Sequence, residues 1–192
     1  MAVETEMQTS RKPRADALRN RAQLLEAAKA AFAEKGAAAS LEEIARGAGV
    51  GIGTLYRHFP TRDALIADVY RNETDQIVAA AARFAETLPP IEALREWLLL
   101  FVDFMSTKYG MMDALNSIAG GASDLFAASS AHVKQATGKL VERGTASGEL
   151  RVDMDPLTLL WALGGVAKMS SGDGWQAEAR RLVDVLIAGV RS

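Results

Sequence analysis

Four side chains in one short stretch can do chemistry on nucleic acid. Thr54, Tyr56, Arg57 and His58 place a hydroxyl, a phenol, a cation and an imidazole within five residues. Such groups suit phosphate oxygens, which position a protein on a duplex, or base edges, which carry the sequence. The stretch Gly53–Phe59 follows a helical segment that ends at Gly49, with only Val50-Gly51-Ile52 between them. That is the pattern of a helix-turn-helix, in which the first helix crosses the backbone and the second enters the major groove. Gly49 permits a steep turn and Val50 can plug the angle between the helices. Leu55 and Phe59, four residues apart, pin the second helix to a core. Thr54, Arg57 and His58 are then left on an exposed face, with Tyr56 partly so.

Other chemistries are poorly supplied. There is no cysteine, which excludes a disulfide scaffold, a thiolate zinc site and a cysteine nucleophile. His58 and His132 are the two histidines, and neither ends a Glu-x-x-His pair of the kind that binds metal inside a helical bundle. His132 reads as a helix-surface residue. No catalytic residue, metal or cofactor is expected, and an enzyme on a helical bundle is the least favoured account.

The DNA-facing groups need elements to hold them. Ser40 precedes Leu41-Glu42-Glu43, a capping box in which the Ser oxygen accepts from the Glu43 amide and the Glu43 carboxylate answers the Ser40 amide. Leu41, Ile44, Ala45 and Ala48 form the inner face of the helix it opens. Upstream, Leu18, Ala22, Leu25, Ala28 and Phe32 recur at helical steps until Gly36. Residues 1–15 read as a flexible arm, and its Arg11-Lys12-Pro13-Arg14 cluster as a solvated tail rather than a minor-groove reader. Beyond Pro60 the helical stretches lie near 62–87, 91–109, 111–119, 122–147, 155–171 and up to 190. Pro89-Pro90, Gly110, Gly120-Gly121, Gly148, Asp155-Pro156 and Gly172-Asp173-Gly174 punctuate them. Alternation at strand period is absent. The expected fold is all-α with about nine helices: the arm, a helix-turn-helix domain over 16–62, and a larger helical domain over 63–192.

Charge divides along the same line. The net charge over 192 residues is −2, yet residues 8–62 carry 10 Lys/Arg against 5 Asp/Glu, while residues 63–192 carry 12 against 17. A basic head on an acidic body points to a polyanion-binding unit joined to one with another task. The 49% hydrophobic and 24% charged shares are those of an ordinary globular chain. The longest apolar run, Trp97 to Val102, is broken by Asp103 and falls far short of the roughly 20 residues that span a bilayer. No signal peptide is read at the start, so a cytoplasmic protein without a membrane partner is expected.

The sequence resembles the TetR family of bacterial transcriptional repressors. The resemblance rests on Ala27-Ala28-x3-Phe32-Ala33-Glu34-Lys35-Gly36, Ile44-Ala45-x2-Ala48-Gly49-Val50, Gly53-Thr54-Leu55-Tyr56-x-His58-Phe59-Pro60 and Ala64-Leu65. These spaced elements agree in order over about residues 18–68. By that resemblance Ser40 is a phosphate-touching cap, and Thr54, Tyr56 and His58 are recognition-helix contacts, mainly to backbone phosphates. Arg62 stands where the family usually has a phosphate-binding lysine. One departure follows the turn valine: Gly51-Ile52 replaces the polar pair common there. Ile52 is then placed to touch a thymine methyl or simply to pack.

In the larger domain, Trp97, Phe101, Phe104 and Met105 fall on neighbouring helical steps, and Met112, Leu115 and Trp161 add soft or aromatic surface. Plain core is the competing account. The functional account is an effector cavity lined by these seven residues, with Met111–Gly121 as its gate, taking a small, mostly apolar molecule of low net charge. Leu157, Leu160, Trp161, Gly164, Gly165 and Ala167, with Leu182, Val185, Leu186 and Val190, suggest a homodimer face. The resemblance implies that the last two helices pair with those of a second copy. The expected function is a ligand-responsive regulator, released from a double-stranded DNA operator by its effector. The alternative is a helical binding or scaffold module that does not meet DNA.

Overall fold

The protein, as a computed structural model, is described over residues 3–169 and 174–192, with side chains from residue 15 onward. Among those residues it is all-α, with nine helices in the order α1 Val3–Lys35, α2 Leu41–Gly47, α3 Ile52–His58, α4 Arg62–Thr87, α5 Pro90–Gly110, α6 Met112–Asn116, α7 Ser123–Ala146, α8 Leu157–Met169 and α9 Trp175–Val190. A 3-10 turn, Gly36–Ala38, follows α1. No described helix is long and apolar enough to cross a membrane. The arm expected over 1–15 is helical from Val3, so the first helix starts 13 residues before Asp16. The side chains of the Arg11–Arg14 cluster, and the turn expected at Gly172-Asp173, lie outside the described residues.

The chain forms two compact units, Met1–Tyr70 with Gly110–Ala122, and Arg71–Tyr109 with Ser123–Ser192. The first unit therefore runs past residue 62 into α4 and takes back the segment after α5. The reason is burial: Leu65, Ile66, Val69, Met111, Ala114 and Leu115 are all cores of this unit. With them are buried Leu24, Leu25, Ala28 and Phe32 of α1, Ile44 and Ala45 of α2, and Leu55 and Phe59. Leu18, expected on the inner face of α1, is exposed instead.

The second unit is organised around α5, whose Ala93, Leu94, Trp97, Leu98, Phe101 and Val102 are buried. Trp97 donates its indole N–H to the Ile77 carbonyl of α4 at 3.1 Å, and Thr74 of α4 meets Ser129 of α7 at 3.1 Å. Towards α9, Arg95 pairs with Asp184 at 2.8 Å, Asp103 pairs with Arg180, and Gln176 donates to Ser106. Beyond α7, Leu150 makes an isolated antiparallel bridge with Arg191. That bridge ties the link between α7 and α8 to the end of α9.

Candidate nucleic-acid interface

The helix-turn-helix is built by local chemistry that the sequence announces. Ser40 has extended backbone and its hydroxyl oxygen accepts from the Glu43 amide at 3.2 Å, the N-cap of α2. The hydroxyl proton goes to the Glu42 carboxylate, 3.1 Å away. Glu43 is engaged from outside the box as well: the Lys35 ammonium donates to it at 3.0 Å. That hydrogen bond and charge, helped by the Ser40 backbone N–H, hold the Glu43 carboxyl below the usual carboxylate range.

The other end of α2 closes as a Schellman motif. Val50 N–H bonds the Ala45 carbonyl at 3.0 Å and Gly49 N–H bonds the Arg46 carbonyl at 3.0 Å. Gly49 sits at φ +69°, a conformation that costs a side chain strain and costs glycine nothing. The chain is thereby turned sharply into α3. Gly51 caps α3 with its backbone alone, accepting from Thr54 and Leu55 amides through its carbonyl. No side-chain cap is made there, the structural consequence of Gly51-Ile52 replacing a polar pair.

Within α3, Leu55 and the following Phe59 are fully buried, and the faces separate as their spacing requires. Tyr56 is 47% exposed and Ile52 37% exposed, and Arg57 is exposed beside them. Thr54 and His58 are half-buried at the margins, with the His58 ring tilted 6.1 Å from that of Phe59. The outward surface is thus Ile52, Tyr56 and Arg57, flanked by Thr54 and His58. One apolar, one aromatic and one cationic side chain can contact a thymine methyl, a phosphate or a guanine edge respectively.

Arg21 of α1 holds this helix from behind. Its guanidinium lies 5.4 Å from the Phe59 ring centroid and pairs with Asp68 of α4 at 2.9 Å. Nothing in the sequence marked Arg21 for this task, because its partners are 38 and 47 residues away. Arg62 is also drawn inward. It donates to the carbonyls of Ala39 and, at 2.7 Å, Ala37, with its guanidinium 5.1 Å from the Phe32 ring centroid. It clamps the turn that presents Ser40, rather than reaching outward where the resemblance placed a phosphate contact. The planar guanidinium forks over the two carbonyls with two of its N–H groups while its face covers the Phe32 ring.

The seven residues expected to line an effector cavity divide between the two units. Met112 and Leu115 belong to α6 in the first unit, where α6 packs on the Gly36–Ala38 turn. A Cβ at Gly36 would meet the Asp113 side chain at 3.0 Å, and Ala119 N–H donates to Asp63 at 3.0 Å. Trp97, Phe101, Phe104 and Met105 are in the second unit on α5, with Trp97 fully buried and stacked on Phe101 at 5.9 Å. Trp161 is 67% exposed on α8, so it is surface and lines no interior. Period alone could not separate the two sides of α8, since large and small apolar residues occur on both. A surface concavity of about 410 Å³ lies elsewhere, along Gly138, Val141, Glu142, Thr145, Ala146 and Pro156.

A seven-residue helix presented over a buried Leu–Phe pair, after a Schellman turn and a serine-capped helix, defines a helix-turn-helix DNA reader carrying a separate helical body. Residues 24–69 match the family model described as bacterial regulatory proteins, tetR family, and residues 89–192 match the SbtR-like transcriptional regulator C-terminal domain. The chain belongs to the TetR family of bacterial transcriptional regulators. A TetR regulator from Streptomyces coelicolor is 42% identical, with 89% of this chain and 98% of that one covered and a TM-score of 0.80. One from Mycobacterium vanbaalenii is 34% identical, with 93% and 99% covered and a TM-score of 0.76. The transcriptional repressor KstR2 of Mycobacterium tuberculosis is 36% identical over 77 residues, 39% of this chain and 38% of that protein. The regulator UidR of Escherichia coli is 35% identical over 100 residues, 52% of this chain and 42% of that protein. These matches thus span less than half the length of either curated relative.

Proposed function

We propose that this regulator acts as a homodimeric repressor, reading operator DNA with the first unit and leaving it when a mostly apolar effector binds the second. The observation that carries the DNA half is the exposed Ile52–Tyr56–Arg57 face on a helix whose opposite side is fully buried. Thr54 and His58 border that face, and Ser40 at the start of α2 completes the contact set. Arg62 acts behind it, through the turn before Ser40.

Dimerisation is supported by apolar surface the protomer leaves uncovered. Trp161 on α8 and Val185 on α9 are exposed, and Leu182 and Leu186 are only half-buried. Gly165 adjoins open space, since a Cβ there would meet nothing within 4 Å. Leu160 and Val190 are buried within the protomer and serve its own core. A reader with one short recognition helix also needs two half-sites, and a two-fold pair supplies them.

Connectivity supports the effector half. Segment 110–122 is part of the DNA-reading unit, and it is covalently joined to the end of α5 and the start of α7. An effector that shifts either helix end must move α6 or strain the Gly36–Asp113 and Asp63–Ala119 contacts. Its leverage on DNA binding equals its differential affinity for the two arrangements.

The test is Tyr56→Ala in a salt-titrated DNA-binding assay. A phosphate-positioning contact predicts that affinity for operator and random DNA falls by similar factors while stability is unchanged. Parent-like affinity in the variant would remove α3 from the interface.

A further inference from the structure

Gly49, Gly51 and Gly53 alternate through the helix-turn-helix, and the fold requires only the first. Gly49 holds its left-handed turn at φ +69°. Gly51 has extended backbone at φ −73°, which any residue adopts, and Gly53 lies inside α3 at negative φ. A Cβ added at Gly51 or Gly53 would meet nothing within 4 Å. Neither backbone strain nor packing within the protomer therefore calls for glycine at these two positions. Gly53 even works against α3, because glycine is the poorest helix former after proline.

The missing side chain has a definite place. Positions 52, 53, 56 and 57 share the outward side of α3 at i, i+1, i+4 and i+5, and all four are exposed. Ile52, Tyr56 and Arg57 carry side chains there, and Gly53 leaves bare backbone among them. The outward face thus has a notch one residue wide, with an apolar wall at Ile52. Glycine in such a place allows a ligand to approach the backbone closely. A gap left by one side chain is far smaller than a base, and neither Ile52 nor Gly53 brings a side-chain donor or acceptor. A methyl group fits, and in the major groove the 5-methyl of thymine is the apolar group that a base pair presents.

We propose that Ile52 and the bare backbone of Gly53 form a methyl-reading notch, which seats the 5-methyl group of a thymine in the major groove of the operator. This deepens the reading of α3 as the DNA-facing helix and rests on it. The same notch takes 5-methylcytosine, which carries its methyl at the equivalent ring position.

The probe is the duplex that the parent selects from a random-sequence library. Deoxyuridine put in place of thymidine, one position at a time, removes only the methyl. At the thymine that the notch reads, affinity is expected to fall about fourfold, the worth of one buried methyl-sized group. Ile52→Ala should bind the thymine and uracil duplexes alike at that position. Gly53→Ala should melt above the parent through its better helix propensity, yet bind the selected duplex about tenfold more weakly because its methyl fills the notch. A glycine kept for the fold alone would not move those two readouts in opposite directions. Indifference to uracil at every thymine of the selected duplex overturns the proposal. So does a Gly53→Ala protein that binds as tightly as the parent, or an Ile52→Ala protein that keeps the thymine preference. If the parent binds every duplex alike, base reading fails and the notch with it. A parent that binds no duplex at all sinks the DNA-reading assignment itself.

Discussion

At the scale of single residues, what decides a side chain's role is which partner claims it first. Arg62 is the sharpest case. Its position in the sequence suits a phosphate contact, yet two of its N–H groups are given to the Ala37 and Ala39 carbonyls and its plane covers Phe32. Hydrogen bonds from a charged donor to partly buried carbonyls contribute about 1.5–3 kcal/mol each at most, and partial exposure reduces this. Arg62→Ala is therefore expected to cost about 2 kcal/mol of stability in urea unfolding. The slope of DNA affinity against salt should stay at the parent value, since no phosphate contact is removed. A slope smaller by about one would restore Arg62 to the DNA-contacting set. Tyr56 is the contrasting residue: exposed, on the outward face, and free to meet a phosphate without disturbing the core.

At the scale of elements, the caps and crossings matter more than helix propensity. A seven-residue helix is too short to be stable alone, so α2 and α3 exist because Ser40, the Schellman turn and the buried Leu55–Phe59 pair fix both ends and one side. In the second unit the corresponding tight place is the end of α7. A Cβ added at Gly144 would lie 2.2 Å from Leu150 Cδ1 and 2.6 Å from its Cγ. Leu150 is buried, and its backbone is held by the bridge to Arg191, so it has little room to retreat. Gly144→Ala is expected to destabilise by about 1–3 kcal/mol, the usual range for overpacking, despite alanine's better helix propensity. Thermal unfolding checks this. A stabilised variant would mean that the link between α7 and α8 yields freely.

At the scale of the whole molecule, the proposed dimer rests on the surface left on α8 and α9. Trp161 is two-thirds exposed, and Gly164 and Gly165 follow it three and four residues on, which suits close approach of a second copy. Trp161→Asp should give monomers by light scattering at micromolar concentration, with unfolding of the protomer itself little changed. Operator affinity should then fall steeply, because two half-sites are no longer held together. A Trp161→Asp protein that remains dimeric would move the interface away from this face.

The sequence by itself determined most of the local structure and the identity of the reading head. Ser40 before Glu43, Gly49 after α2, and Leu55 four residues before Phe59 are short-range patterns whose physics is complete within one or two turns of helix. The polar face of α3 follows from them, as does the all-α class from the 3.6-residue period of the longer segments. Tertiary structure alone decided what depends on distant partners. Leu18 is periodic but exposed, because period alone does not say which turns of a helix are covered. Trp161 is as apolar as Trp97, yet one is surface and the other core, because packing chooses which side of a helix is covered. Met112 and Leu115 joined the first unit because the Gly36–Ala38 turn, some 75 residues earlier in the chain, offers α6 its docking place. The register of Lys108 with Phe101 and Met105 follows from the helical period, whereas the Phe126 ring, 4.5 Å from its ammonium, comes there only because α7 packs on α5.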